Sequence, residues 1–280
     1  MYQTNPPLSP KEVLPTMYDL PSEDPEEPGL PDEFHILQPR LLTDTFSPPN
    51  YPTDQVFVAT DLNIYYNVHN TLWYKRPDWF AVVGGSRLYE RRDLRLSYVI
   101  WQEGISPFVM VELLSPGTEK EDLGQTLREI SQPPTKWEVY ERILRVPYYI
   151  IFDRYTDKLQ AFKLDAEYYQ EIDVRSGKIW MPGIELGLGL WPGSYDGIER
   201  LWLRWFDKSG NWLLTTQEKL EREAHRVQQE KQRAEREKQR AEQEKQRAKQ
   251  EKQRAEQEKQ RADKLAAKLR ELGINPDDLT

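Results

Sequence analysis

Between about residue 55 and residue 115 the apolar positions gather in short, β-rich runs bounded by turn residues. These runs are Trp79–Val83 (WFAVV), closed by Gly84-Gly85, then Leu96–Trp101 (LSYVIW), and Phe108–Leu114 (FVMVELL), closed by Ser115-Pro116-Gly117; each predicts a strand. The stretch TEKEDLGQTLREI follows and predicts a short helix stopped by Pro133-Pro134. Thr135 opens a second helix, with Glu138 placed to complete a capping box and Trp137, Tyr140, Ile143 and Leu144 forming an apolar face at helical spacing. After Pro147, the run Tyr148–Asp153 (YYIIFD) predicts a buried strand, and strand, helix, strand at this separation implies a right-handed crossover between parallel strands. A hairpin around Asp165-Ala166, from Lys158–Leu164 to Glu167–Val174, comes next. Lys178–Met181, Ile184–Leu190 and Glu199–Phe206 are further strands along a hairpin-rich C-terminal edge. The predicted fold class is mixed α/β: a central mixed sheet with helices on its faces, over residues 51–215.

The two flanks have other patterns. Residues 1–50 are rich in proline and acidic side chains (LPSEDPEEPGLPDE, then FSPPNYP) and predict an extended, partly disordered arm. From Glu230 the unit EKQRA recurs at Glu237, Glu244, Glu251 and Glu258, a strict seven-residue period of helix-forming residues. Each repeat holds one apolar residue, an alanine, where a stable dimeric coiled coil normally has two larger ones. Opposite charges at helical spacing, such as Lys231/Glu235 and Arg247/Glu251, add roughly 0.2–0.5 kcal/mol each. A long solvated helix over residues 216–272 follows, on the order of 85 Å at 1.5 Å per residue, with a short tail over 273–280. Leu265, Leu269 and Leu272 thicken the apolar stripe before Gly273, and weak self-association is expected there.

Composition narrows the chemistry. All nine Trp lie between Trp73 and Trp212, and no Trp, Tyr or Phe follows, so the segment after residue 215 cannot build a core of its own. With no cysteine, thiolate metal sites and cysteine nucleophiles are excluded, and His35, His69 and His225 share no ligand spacing. A metal would be held by carboxylate and carbonyl oxygens, which favours Mg²⁺ or Mn²⁺. The net charge of −8 opposes broad non-specific nucleic-acid affinity. No apolar run is long enough for a bilayer, and MYQTNPPLSPKEVLP lacks a signal-peptide pattern, so a cytoplasmic protein is expected. There is no Walker or dinucleotide glycine loop; Gly187-Leu188-Gly189 sits in a strand-like run and predicts a bend.

Three positions are chemically out of place. Asp78 follows Pro77 directly before a buried strand, and Glu112 interrupts the apolar run FVMVELL, where an ionised carboxylate is costly without a partner. Lys136 stands in the first turn of its helix, where a cation opposes the helix dipole. Around Asp78 in sequence lie Lys75, Arg76, Arg87, Arg91, Arg92 and Arg95, which read either as phosphate contacts or as ordinary charged surface.

PDWFAVVG, VELLSPGTEKED and KWEVYERILRVPYYIIFD together resemble the Uma2 family over roughly residues 55–212. The pattern is a PD before one strand, E-(V/L)-L-S-P on the next, a helix with Lys and Tyr four apart, and a V-P-x-Y-hydrophobic-D strand. The resemblance implies a restriction-endonuclease-like core of the PD-(D/E)XK kind, with Asp78 and Glu112 as metal ligands and the Leu113 carbonyl as a third. Lys136, paired with Tyr140, takes the place of the lysine that the general motif sets two residues after the glutamate, where this chain has Leu114. The segment LGQTLREISQPPT is inserted between Asp122 and Lys136, and Lys120 is the other candidate for the active-site lysine. The ending KLRELGINPDDL resembles cyanobacterial members with coiled-coil extensions.

Two functions are compatible with this reading. One is a Mg²⁺- or Mn²⁺-dependent endonuclease acting on DNA phosphodiesters. The other is a catalytically inactive interaction protein that keeps the nuclease fold and docks partners through its helical tail; the acidic charge, the missing strand lysine and the repeats favour it.

Overall fold

A computed structural model describes residues 32–115, 122–125, 132–174, 176–271 and 273. Among these, the chain is mixed α/β, and it divides into two compact units, Met1–Thr216 and Gln217–Thr280.

The first unit is built on a six-stranded sheet of order β1-β4-β6-β7-β8-β9. Its strands are β1 (Val56–Thr60), β4 (Trp79–Val83), β6 (Val109–Leu113), β7 (Tyr148–Asp153), β8 (Lys158–Asp165) and β9 (Tyr168–Glu171). Neighbours are antiparallel except β6 and β7, which run parallel, as the strand–helix–strand pattern predicts. A smaller sheet of order β3-β2-β5 joins β2 (Ile64–Tyr65), β3 (Tyr74–Lys75) and β5 (Tyr98–Val99). Only Tyr98–Val99 of the predicted LSYVIW strand is extended; Ile100–Glu103 turns into a short helix, α2, that Gly104 ends at a positive φ.

The central strands are buried on both faces, which is why they read as apolar runs and not as alternating ones. Their period-2 geometry still separates two cores. Trp79, Ala81, Val109, Val111, Leu113, Ile150 and Phe152 face one way, against helix α1 (Phe34–Thr45) and the C-terminal strands. Phe80, Val82, Met110, Tyr149 and Ile151 face the other way, against Val139, Tyr140 and Leu144. The parity of β6 puts Glu112 on this second face, level with Met110.

Two parts of the predicted layout are corrected. The arm predicted over residues 1–50 is not extended throughout: Phe34–Thr45 is a helix even though it contains Pro39. Phe34, Leu37, Leu41 and Leu42 are buried against the sheet, and that burial outweighs the local cost of an interior proline. The Gln38 amide fastens the helix to the strand around Leu203, donating to the Leu203 carbonyl and accepting from the Leu203 N–H, both at 2.8 Å. Secondly, the last strands do not extend the central sheet. β10 (Lys178–Met181), β11 (Leu186–Tyr195) and β12 (Ile198–Phe206) form their own three-stranded sheet, whose Leu186, Leu188, Trp202 and Trp205 join the first core. Gly187 marks close approach within that sheet, because a Cβ there would run into the Phe206 ring.

The helix predicted over TEKEDLGQTLREI lies largely outside the described residues, as does Lys120. The second helix, α3, begins at Thr135 with the predicted capping box complete, runs as α-helix over Lys136–Glu138, and widens into a π-helical turn over Val139–Ile143. The second unit carries the helix α4, Thr216–Glu271, in which no described residue is buried. No helix among the described residues is long and apolar enough to cross a membrane.

Candidate active site

Antiparallel pairing of β4 with β6 sets Trp79 opposite Val111, so the next step of the ladder brings Asp78 beside Glu112. The contact is direct: the Asp78 N–H lies 3.4 Å from Glu112 Oε2, and the Leu113 N–H donates to Asp78 Oδ2 at 2.6 Å. Glu112 is fully enclosed at 0 % exposure, while Asp78 remains partly open to solvent.

Helix α3 supplies the counter-charge. Lys136 and Tyr140, four residues apart, project from one face. Lys136 Nζ lies 2.9 Å from Glu112 Oε2 and 2.9 Å from Asp122 Oδ1, and the Tyr140 hydroxyl donates to Glu112 Oε1 at 2.8 Å. Asp122 is itself buried, and its carbonyl accepts the Tyr149 hydroxyl at 2.9 Å. The Lys136 side chain keeps 16 % exposure, so the centre opens to solvent beside the lysine and Asp78, not beside Glu112.

On the opposite side, His35 is buried near the start of α1. Its Nε2 lies 3.0 Å from the Leu113 carbonyl and its Nδ1 lies 2.9 Å from Asp32 Oδ1, which a second oxygen ties to Arg154 at 2.7 Å. Both ring nitrogens face oxygen acceptors, the arrangement that suits the doubly protonated ring.

Three carboxylates thus crowd around one lysine, with an imidazole behind them. Burial pushes the Glu112 carboxyl well above its ordinary range, and Asp122 and Asp78 add to that against the pull of Lys136. Asp78 is raised for the same leading reason, with Lys136 and His35 opposing. For Lys136, burial works against the charge, but Asp122, Glu112 and Asp78 outweigh it and hold the ammonium firmly protonated. Burial likewise opposes the His35 charge, and Asp32, Asp78 and the Leu113 carbonyl overcome it.

Among the described residues no group of three or more His, Asp or Glu side chains is arranged to hold a metal ion. The oxygen-bearing residues that do meet are Asp78 and Glu112, in contact through the Asp78 N–H, and Leu113, whose N–H binds Asp78 and whose carbonyl faces His35. Such a hard-oxygen set fits Mg²⁺ or Mn²⁺, which is commonly held by one or two carboxylates and completes its shell with water and substrate phosphate.

Asp78, Glu112 and Lys136 therefore come together, and Tyr140 joins them. His35, Asp32 and Asp122 join the site without any local sequence signal. The first two are separated from Leu113 by most of the α1–β6 chain segment, and only the apolar spacing of FHILQPRLL hinted that this stretch docks on the sheet. Several of the basic residues near Asp78 in sequence are engaged by other partners. Lys75 is buried, Arg76 pairs with Asp61 at 3.2 Å, and Arg95 is held by Glu103 at 2.7 Å while stacking 4.3 Å over the Phe57 ring. Arg87 and Arg91 line a cavity of about 630 Å³ with Gly84 and Gly85, at the opposite end of β4 from Asp78.

A family model, Uma2, described as "Putative restriction endonuclease", matches residues 14–192. Among solved structures, the chain is similar to one described as a "putative nuclease belonging to DUF820" from Anabaena variabilis. The two are 12 % identical, with 56 % of this chain and 76 % of that chain covered and a TM-score of 0.37. No curated protein matches the chain.

Proposed function

Since the chain belongs to the Uma2 family, we propose that it is a metal-dependent endonuclease that hydrolyses DNA phosphodiester bonds in the cytoplasm, with its active site at Asp78, Glu112 and Lys136. The observation that carries this reading is the meeting of Lys136 Nζ with both Glu112 and Asp122 at 2.9 Å, beside Asp78.

Asp78, Glu112 and the Leu113 carbonyl would hold Mg²⁺ or Mn²⁺. When bound, the ion supplies an acidified water and charge stabilisation at the phosphate. The remaining work belongs to the protein. Tyr140 fixes the plane of the Glu112 carboxylate through Oε1, leaving Oε2 turned toward Asp78 and Lys136. Asp122 keeps the Lys136 ammonium charged and aimed at the solvent-facing side of the centre, where it can orient a water or neutralise charge building on a phosphate oxygen. His35 holds the Leu113 main chain from behind, so the strand end carrying two of the three donors stays in register with Asp78.

Plasmid nicking in Mn²⁺ tests the reading. The intact chain is expected to cleave, Asp78→Ala and Glu112→Ala to lose all cleavage, and Lys136→Ala to fall by at least about a hundredfold, the usual cost of one stabilising donor. Cleavage that survives both carboxylate substitutions, or that never appears with Mg²⁺ or Mn²⁺, rejects it. The latter outcome would favour the inactive scaffold.

A further inference from the structure

The seven-residue period of α4 reaches beyond the EKQRA repeats. Leu220, Val227, Ala234, Ala241, Ala248, Ala255, Ala262 and Leu269 stand at unbroken intervals of seven over almost the whole helix. An ideal straight α-helix drifts about 20° per heptad, so on a lone helix this row would wind roughly 140° around the rod and define no face. A strict seven-residue row stays on one face only when the helix supercoils against a partner. In the single chain the row is uncovered: Leu220 is 67 % exposed and Leu265, beside its other end, 64 %.

The flanks of the row say which partner fits. Three residues after each of the first six seam positions stands glutamate, at Glu223, Glu230, Glu237, Glu244, Glu251 and Glu258. Four residues after each seam position from Val227 to Ala255 stands lysine, at Lys231, Lys238, Lys245, Lys252 and Lys259. On the helix surface the two rows lie about 50° to either side of the seam, acid on one edge and base on the other. In a parallel pair related by a twofold along the rod, the acidic edge of each helix meets the basic edge of the other on both sides. In an antiparallel pair, acid meets acid and base meets base. The seam widens to branched residues at its ends, with Leu220 and Val227 at one and Leu265 and Leu269 at the other, and narrows to alanine between them, where backbones approach closely and lysine stems cover the gap.

We propose that α4 is the dimerisation element of the protein: it pairs with α4 of a second copy as a parallel, in-register, two-stranded coiled coil along the Leu220–Leu269 seam. The pairing joins two copies of the protein through α4. It does not depend on the nuclease reading, since every residue it uses lies in α4.

Because the natural chain has no cysteine, single cysteines report the alignment cleanly. In the full-length protein, Ala234→Cys is expected to form a disulfide-linked homodimer under mild oxidation. In an antiparallel pair with the seam ends matched, Ala234 would instead face Ala255, and a mixture of Ala234→Cys and Ala255→Cys chains would give the mixed dimer. Sedimentation equilibrium should show mass approaching twice 33.3 kDa with rising concentration. Ala241→Leu with Ala255→Leu should lower the midpoint of association at least about tenfold by adding buried apolar area. Leu220→Lys with Val227→Lys and Leu269→Lys should abolish association while the helical circular-dichroism signal persists. A chain that stays monomeric at every concentration, or a 234–255 cross-link in place of 234–234, overturns the proposal.

Discussion

Glu112 and the glutamates of α4 are the same side chain in opposite surroundings. Glu112 has no exposure and is gripped by Lys136, Tyr140 and the Asp78 main chain; Glu244 stands in water on a helix with no buried residue. Burial makes the first one expensive, which is why it accumulates partners and why its carboxyl is pushed above the ordinary range. The second is cheap, screened and replaceable one residue at a time, and it matters only as part of a row. Charge in the sheet is thus concentrated into a chemical centre, whereas charge in the rod is spread into a pattern.

The sharpest way to break this comparison is to empty the sheet's centre. Glu112→Ala should abolish cleavage, as read by plasmid nicking, whereas Glu244→Ala should leave the rate of the full chain unchanged. Next in size is Lys136→Ala, which leaves the buried Glu112 and Asp122 without their cation. Breaking a buried pair costs on the order of 3–5 kcal/mol, measurable as a lower urea midpoint at neutral pH. His35→Gln should cost about 1–3 kcal/mol by leaving the buried Leu113 carbonyl and the half-buried Asp32 carboxylate poorly matched. Glu244→Gln should change unfolding by no more than about 0.5 kcal/mol.

The pH dependence separates the two regions as well. A carboxyl whose folded pKa is raised favours the fold most while protonated, and that stability is lost as pH rises from the ordinary glutamate range through the raised value. Metal-free protein should therefore lose stability as pH climbs through that window, and Glu112→Gln should flatten the profile. Equal pH profiles for wild type and Glu112→Gln would show that burial does not set the Glu112 proton.

The same contrast explains what could be read without coordinates. The strands Trp79–Val83, Val109–Leu113 and Tyr148–Asp153 are legible because both of their faces are apolar, and the lone acid in the second becomes conspicuous against that background. The capping box of Thr135 and Glu138 is local chemistry and reads directly. The rod is legible from its period alone. Phe34–Thr45 was hidden because prolines and acids on both sides dominate the local composition, while the burial that makes it helical comes from β12 and the sheet, distant in sequence. His35, Asp32 and Asp122 were missed for the same reason: their roles are set by partners that no local spacing announces. The separate β10–β12 sheet reads in sequence as an edge of the central one because strand patterns report extension, not which sheet a strand joins.

The central claim is that Asp78 and Glu112 share one divalent ion. Calorimetric titration of Mn²⁺ into the full-length protein addresses it without relying on turnover. The account predicts one site in the intact chain, lost in Asp78→Asn and in Glu112→Gln alike. Unchanged Mn²⁺ affinity in either variant, with the fold intact by circular dichroism, would contradict it.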